Sequence, residues 1–182
     1  SETFQLRNTN KTIAESLVQV AEIQNLCVQK GKKLVVYISM GFGNPYGDAY
    51  SAEIAIKWVG ELVKMGVGNI AMSDTVGVAK PDTIKYLFTN LIPEFKYVTI
   101  GAHFHSTMDT WEEKIQSAYD NGCRSFDSAI RGIGGCPMAK DELVGNLATE
   151  NLISWAEANN ITTRIDKKAF EDAWVRAASI FL

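Results

Sequence analysis

Residues Lys33–Met40, KLVVYISM, form a near-continuous apolar run between Gly31 and the glycine-containing loop GFGNPYGD at 41–48. A run of this kind reads as a strand buried on both faces of a parallel sheet. Working outward from it, the same alternation repeats on either side. Upstream, Thr12 with Glu15 makes a capping box that opens a helix through Lys30, with Ile13, Leu17, Val20 and Ala21 on one face. Downstream, a helix over Ser51–Lys64 ends at Gly66, and Asn69–Ser73 reads as the next strand, with Asp74 and Thr75 just past it. Pro81 opens a third helix running to Leu91, and Tyr97–His103 is a strand leading into Phe104 and His105. A helix over Thr110–Asn121, a strand over Arg124–Ala129, the loop RGIGGCPMAKD at 131–141, and helices over Leu147–Asn159 and Lys167–Phe181 complete the chain. Four strands alternating with helices, with no low-complexity segment or linker between them, predict one α/β domain over residues 1–182.

Composition narrows the function classes. The 182 residues are 46% hydrophobic and 21% charged, which is enough apolar surface for a core. The net charge of −3 is scattered along the chain, so there is no basic stripe for nucleic acid. No apolar run reaches the length of a membrane span, and SETFQLRNTN has neither the basic nor the apolar region of a signal peptide. Neither nucleic acid nor membrane is expected as a partner. Cys27, Cys123 and Cys136 make an odd count without disulfide-type spacing, which favours a reducing compartment such as the cytoplasm.

In parallel α/β folds the chemistry gathers on loops leaving the carboxyl ends of strands. The segments 41–48, 74–75, 103–105 and 132–137 all occupy such places, whereas Gly31, Gly66 and Gly122 sit at helix ends on the opposite side. His103 and His105 are the chain's two histidines, and a spacing of two along a strand turns both rings to one side. Two converging imidazoles suit a divalent cation, although a pair of ordinary solvent or core histidines has the same spacing.

The remaining candidates each have two readings. Asn146 in GNLATEN reads as a third ligand through its amide oxygen or as a helix N-cap. Asp74 reads as a ligand, a ligand-orienting group or a base, or as the carboxylate of an Asx-turn closing the loop VGVAKP. Cys136, between the glycines of GIGGCP and Pro137, reads as a thiol delivered by a mobile loop or as an inert residue in a tight turn. Glu150 reads as part of the same network or as a first-turn acid complementing a helix dipole. Cys27 and Cys123 read as small buried hydrophobes.

The segments SETF, GNPYGD, SDTVGVAKP, AHFHST, GIGGCPMA and GNLATE, in this order and over nearly the whole chain, resemble the carboxyl-terminal half of the 3-hydroxy-3-methylglutaryl-CoA lyases. These belong to the DRE-TIM metallolyases. The resemblance implies half of a (β/α)8 (TIM) barrel and a Mg- or Mn-type cation held by His103, His105 and Asn146. It also implies that Cys136 is the loop thiol, that Asp74 and Glu150 are polar active-site residues, and that the substrate is an acyl-CoA thioester.

GIGGCP separates this pattern from the related isopropylmalate and homocitrate synthases, the alternative enzymes. A non-catalytic metal-binding assembly domain is the alternative of another class. Departures from the family pattern are Ser106, where an acidic residue follows the second histidine, Met138, where an aromatic follows the loop proline, and Arg131, where a small residue precedes the glycine loop. By the same resemblance, a first-strand aspartate ligand and its neighbouring arginine belong to the half not present here. Two copies pairing into a complete barrel are one way to cover the open sheet edges.

Overall fold

The computed structural model describes residues 1–135 and 144–181. Its centre is a parallel sheet of four strands, β1 (Val35–Ile38), β2 (Asn69–Asp74), β3 (Thr99–Phe104) and β4 (Phe126–Asp127), ordered β1-β2-β3-β4. Among the described residues seven helices accompany it: α1 (Glu2–Thr9), α2 (Ile13–Gln29), α3 (Ala52–Lys64), α4 (Pro81–Glu94), α5 (Trp111–Asp120), α6 (Thr149–Ala158) and α7 (Lys167–Phe181), with a short 3-10 turn at Ile130–Gly132. The α/β class and the partial-barrel architecture are as expected.

Many helix ends follow local chemistry readable from the sequence. Thr12 and Glu15 form the reciprocal capping box of α2, and Ser51 caps α3 by accepting from Ile54 N. Pro81 occupies the first turn of α4. Gly31, Gly66 and Gly122 all adopt positive φ just beyond α2, α3 and α5, where a left-handed residue closes a helix. Helix α1 was not expected, because ETFQLRNT has only weak apolar periodicity. Tertiary contacts account for it. Asp48, from the loop after β1, accepts from the Ser1 hydroxyl, and both Thr3 N and Thr3 Oγ1 donate to it at 2.8 Å.

The register sorts side chains into two faces. Val36 and Ile38, Ile70 and Met72, Ile100, Ala102 and Phe104, and Phe126 point toward the helices, where Val59, Leu62, Ile84, Leu87, Phe88 and Leu91 complete a core. Tyr37, Ala71, Ser73, Gly101, His103 and Asp127 alternate with them and share the opposite face. A smaller cluster of Ile115, Leu147, Trp155 and Ala156 seats α6 on α5.

One strand corrects its sequence reading. β1 is not buried on both sides, since Val35 and Tyr37 are 49% and 48% exposed. It is an edge strand, and its second face lines the open inner side of the sheet. Along that edge runs a groove of about 300 Å³, lined by Phe4, Ile13, Leu17, Val20 and Trp58 among others. β4 is the other edge and is shorter than expected, because the chain leaves the sheet at Ser128 for the 3-10 turn.

The anchor on α1 is pH-sensitive. Hydrogen bonds from Ser1 and Thr3 hold the Asp48 carboxyl down from 3.8 to about 2. A carboxyl depressed in the folded state contributes its stability fully above the unfolded value and loses it as pH falls through the folded one. Amide exchange at Thr3 and Phe4 is therefore expected to stay slow down to about pH 4 and to rise between there and pH 2. In Asp48→Ala it should be fast at neutral pH. NMR hydrogen exchange with a carboxyl-carbon titration checks both.

Candidate functional site

The inner face of the sheet converges at the carboxyl ends of β2, β3 and β4. His103 closes this face of β3, and His105 follows it with the same parity, their ring centroids 5.4 Å apart. His105 is buried, and desolvation, followed by the neighbouring His103, pushes its imidazole below the ordinary histidine value. It is thus neutral at physiological pH, the form in which a ring nitrogen ligates a cation.

Asn146 is brought to this place by backbone pairing. Leu147 N donates to Phe104 O and Ser106 N to Gly145 O, each at 3.0 Å, so His105 and Asn146 stand opposite one another in an antiparallel bridge. Asn146 N also donates to Gly132 O and Gly134 O, and its amide Nδ2 donates to Ile133 O at 2.9 Å. With the amide hydrogens directed there, the oxygen is the end suited to ligation. The N-cap reading of Asn146 does not hold: Ala148 is the N-cap of α6 and makes no side-chain cap. The close packing explains two glycines of GIGG. A Cβ on Gly132 would lie 2.8 Å from Asn146 O, and one on Gly134 would lie 2.8 Å from Asn146 Nδ2.

Two imidazoles and an amide oxygen match the nitrogen and oxygen donors of a Mg, Mn or similar centre. No cluster of three or more His, Cys, Asp or Glu suited to a metal occurs among the described residues, so these three would make only part of a cation's shell.

Asp74 lies with the helix-facing parity of β2, opposite Phe104 rather than His103. Its Oδ1 accepts from Ala79 N at 2.9 Å, closing the loop VGVAKP, and its Oδ2 accepts from Lys114 Nζ at 2.7 Å. Lys114, on α5, is only 1% exposed and donates also to His105 O at 2.8 Å and Gly77 O at 3.1 Å.

Glu150 stands apart from the histidines. Its Oε2 accepts from Arg131 N at 3.0 Å and its Oε1 from Trp174 Nε1 at 2.9 Å. The Arg131 guanidinium lies 3.7 Å over the Trp174 ring, so it is engaged by α7. Cys136 and Met138 lie outside the described residues. Cys27 and Cys123 are free thiols, and burial pushes the Cys123 thiol up to about 12.

The HMGL-like family model matches residues 1–174. The chain belongs to the HMGL-like family. Among its relatives, the (R)-citramalyl-CoA lyase of Chloroflexus aurantiacus is 34% identical over 93% of the chain and 54% of its own length. A 3-hydroxy-3-isohexenylglutaryl-CoA/hydroxymethylglutaryl-CoA lyase of Pseudomonas aeruginosa is 32% identical over 99% of the chain and 60% of its own length. The HMG-CoA lyase structure from Bacillus subtilis superposes with a TM-score of 0.90 at 29% identity, covering 98% of this chain and 60% of that one. An A. baumannii HMG-CoA lyase in complex with coenzyme A and 3-methylmalate gives 0.86 at 30% identity, covering 98% and 57%. The chain therefore spans somewhat over half the length of these family members.

Three side chains at the site were not singled out in the sequence: Lys114, Asp127 and Tyr37. Lys114 carried a signal, because it interrupts the apolar stripe formed by Trp111, Ile115 and Ala118 on α5. Asp127 approaches His103 Nδ1 with its Oδ2 at 3.3 Å and accepts from the Tyr37 hydroxyl at 2.8 Å. That donation pushes the Tyr37 phenol up, so it stays protonated.

Removing one member of a buried ion pair leaves an uncompensated charge, costing about 3–5 kcal/mol. Lys114→Met is expected to destabilise the chain by that order. Adding Asp74→Asn should recover a large part of the loss, which a double-mutant cycle by urea denaturation measures.

Proposed function

We propose that this chain is the carboxyl-terminal half of a divalent-cation-dependent carbon–carbon lyase that cleaves a 3-hydroxyacyl-CoA thioester, with 3-hydroxy-3-methylglutaryl-CoA, split to acetyl-CoA and acetoacetate, as its substrate. The observation that carries this reading is the placement of His103 and His105 on one side at the end of β3, with Asn146 paired to the backbone of His105. The names of its relatives support the thioester class, as does the structural neighbour holding coenzyme A.

His103, His105 and Asn146 would hold the cation. When bound, it would supply positive charge that holds substrate oxygens and favours loss of the 3-hydroxyl proton to solvent. The protein's own groups do the rest. Burial keeps His105 neutral and therefore able to donate a lone pair. Asp74 acts through Lys114, whose ammonium fixes the His105 carbonyl, and Glu150 acts through Arg131 at the entrance to the glycine loop. Both are positioning residues in this scheme. Breaking the bond between the hydroxyl-bearing carbon and its neighbour leaves an electron pair on the thioester's α carbon, and Cys136 on the GIGGCP loop helps deliver the proton to that atom. The free thiols Cys27 and Cys123 suit a reducing, cytoplasmic setting.

The open edges of β1 and β4 favour a covered assembly. The cover is the remaining half of the barrel or, for this chain by itself, a second copy; a monodisperse monomer in sedimentation would exclude the homodimer.

A protein carrying this chain together with the missing half is expected to cleave 3-hydroxy-3-methylglutaryl-CoA only with Mg or Mn present, and to lose cleavage in Cys136→Ala. The chain by itself should bind Mn, read by electron paramagnetic resonance, and lose that binding in His105→Ala. The chain by itself is expected to bind without cleaving; failure of the completed protein to cleave any hydroxyacyl-CoA would leave a metal-binding assembly domain and sink the lyase.

A further inference from the structure

The inner face of the sheet contains a carboxylate that neither the ligand set nor the proton-transfer scheme uses. Register places Asp127 of β4 directly opposite His103 of β3, and opposed residues on neighbouring strands share a face. Its Oδ2 lies 3.3 Å from His103 Nδ1 and receives the Tyr37 hydroxyl at 2.8 Å. Tyr37 belongs to β1, two strands away from β3. It reaches across because the positions in register with it are small, Ala71 on β2 and Gly101 on β3. The phenol ring then stands perpendicular to the imidazole, with centroids 5.4 Å apart and planes at 89°. His103 is thus met by a carboxylate at Nδ1 and by an aromatic ring perpendicular to its own, while being the less buried of the two histidines.

We propose that Asp127, steadied by Tyr37, is the positioning residue of His103: it takes the Nδ1 hydrogen and leaves the Nε2 lone pair as the ligating one. A neutral imidazole has one protonated and one free nitrogen, and the group that accepts from the first decides which is the second. Carboxylates in this relation to ligating histidines fix ring orientation and raise ligand basicity. Tyr37 donates to the oxygen that faces the histidine, so the carboxylate cannot turn away without losing that bond. The proposal rests on the reading of His103 as a ligand, but its first consequence concerns the metal-free chain.

The test uses the chain itself, with Asp127→Leu, Asp127→Asn and Tyr37→Phe. Long-range proton–nitrogen NMR of the imidazoles should show His103 as the Nδ1–H tautomer in the native chain. A shift toward Nε2–H is expected in Asp127→Leu and a smaller change in Asp127→Asn, whose amide oxygen can still accept. Mn affinity should fall by about 10–100-fold in Asp127→Leu, less in Asp127→Asn and least in Tyr37→Phe. Asp127→Asn keeps the shape of the site and guards against a folding defect. An Nε2–H tautomer in the native chain, or one unmoved by Asp127→Leu, overturns the positioning role. Absence of Mn binding by a native chain with the expected tautomer overturns the ligand reading of His103 instead.

Discussion

The buried ammonium of Lys114 is the constraint on which the site end of this structure depends. A lysine at 1% exposure is tolerable only when all three of its hydrogens find acceptors. Here they find Asp74 Oδ2 at the end of β2, Gly77 O in the loop beyond it and His105 O just past β3. Those partners come from two adjacent strand ends and the loop between β2 and α4, so α5 is tied to both strands. The position of His105 follows, and so does that of Asn146, because the bridge between 104–106 and 145–147 starts from the same backbone. A charge with no chemical part in the proposed reaction thereby holds two of the three candidate ligands in place.

The elements were legible in the sequence where the cause is local. The capping box of Thr12 and Glu15, the first-turn Pro81 and the helix-ending glycines each name their own boundary. The side-by-side placement of His103 and His105 was legible for the same reason, since alternation along a strand needs no knowledge of the rest of the fold. What failed was set by neighbours. The letters of KLVVYISM do not reveal that β1 is an edge strand, so Tyr37 reads as buried when it lies on an open face. Helix α1 is organised by Asp48, more than forty residues away, rather than by its own periodicity.

The polar residues divide in the same way. Asp74 and His103 both stand at strand ends, yet register sets Asp74 against Phe104 and Ser73 against His103. A difference of one residue sends the carboxylate to the helix layer and the imidazole to the inner face. Glu150 took its partners from α7 and from the turn before the glycine loop, elements far apart in sequence. Asp127 had no signal in its own segment, RSFDSA, because its meaning comes from the register with β3 and from small residues on two other strands that let Tyr37 reach it.

The entrance to the glycine loop shows how distant elements bear on the site. Arg131 adopts φ 62°, a left-handed conformation that costs a non-glycine residue about 1–2 kcal/mol. Three contacts offset that cost: its N–H donates to Glu150, its Nε donates to Trp174 O, and its guanidinium stacks on the Trp174 ring. The next residue, Gly132, accepts from Asn146 N and leaves no room for a Cβ beside Asn146 O. Helix α7, well removed from the histidines in sequence, is therefore coupled through Trp174, Arg131 and Gly132 to a candidate ligand. Arg131 is held by α7 as a structural clamp on this turn. That explains how a bulky cation is accommodated beside Gly132 and Gly134, where a Cβ would collide with Asn146.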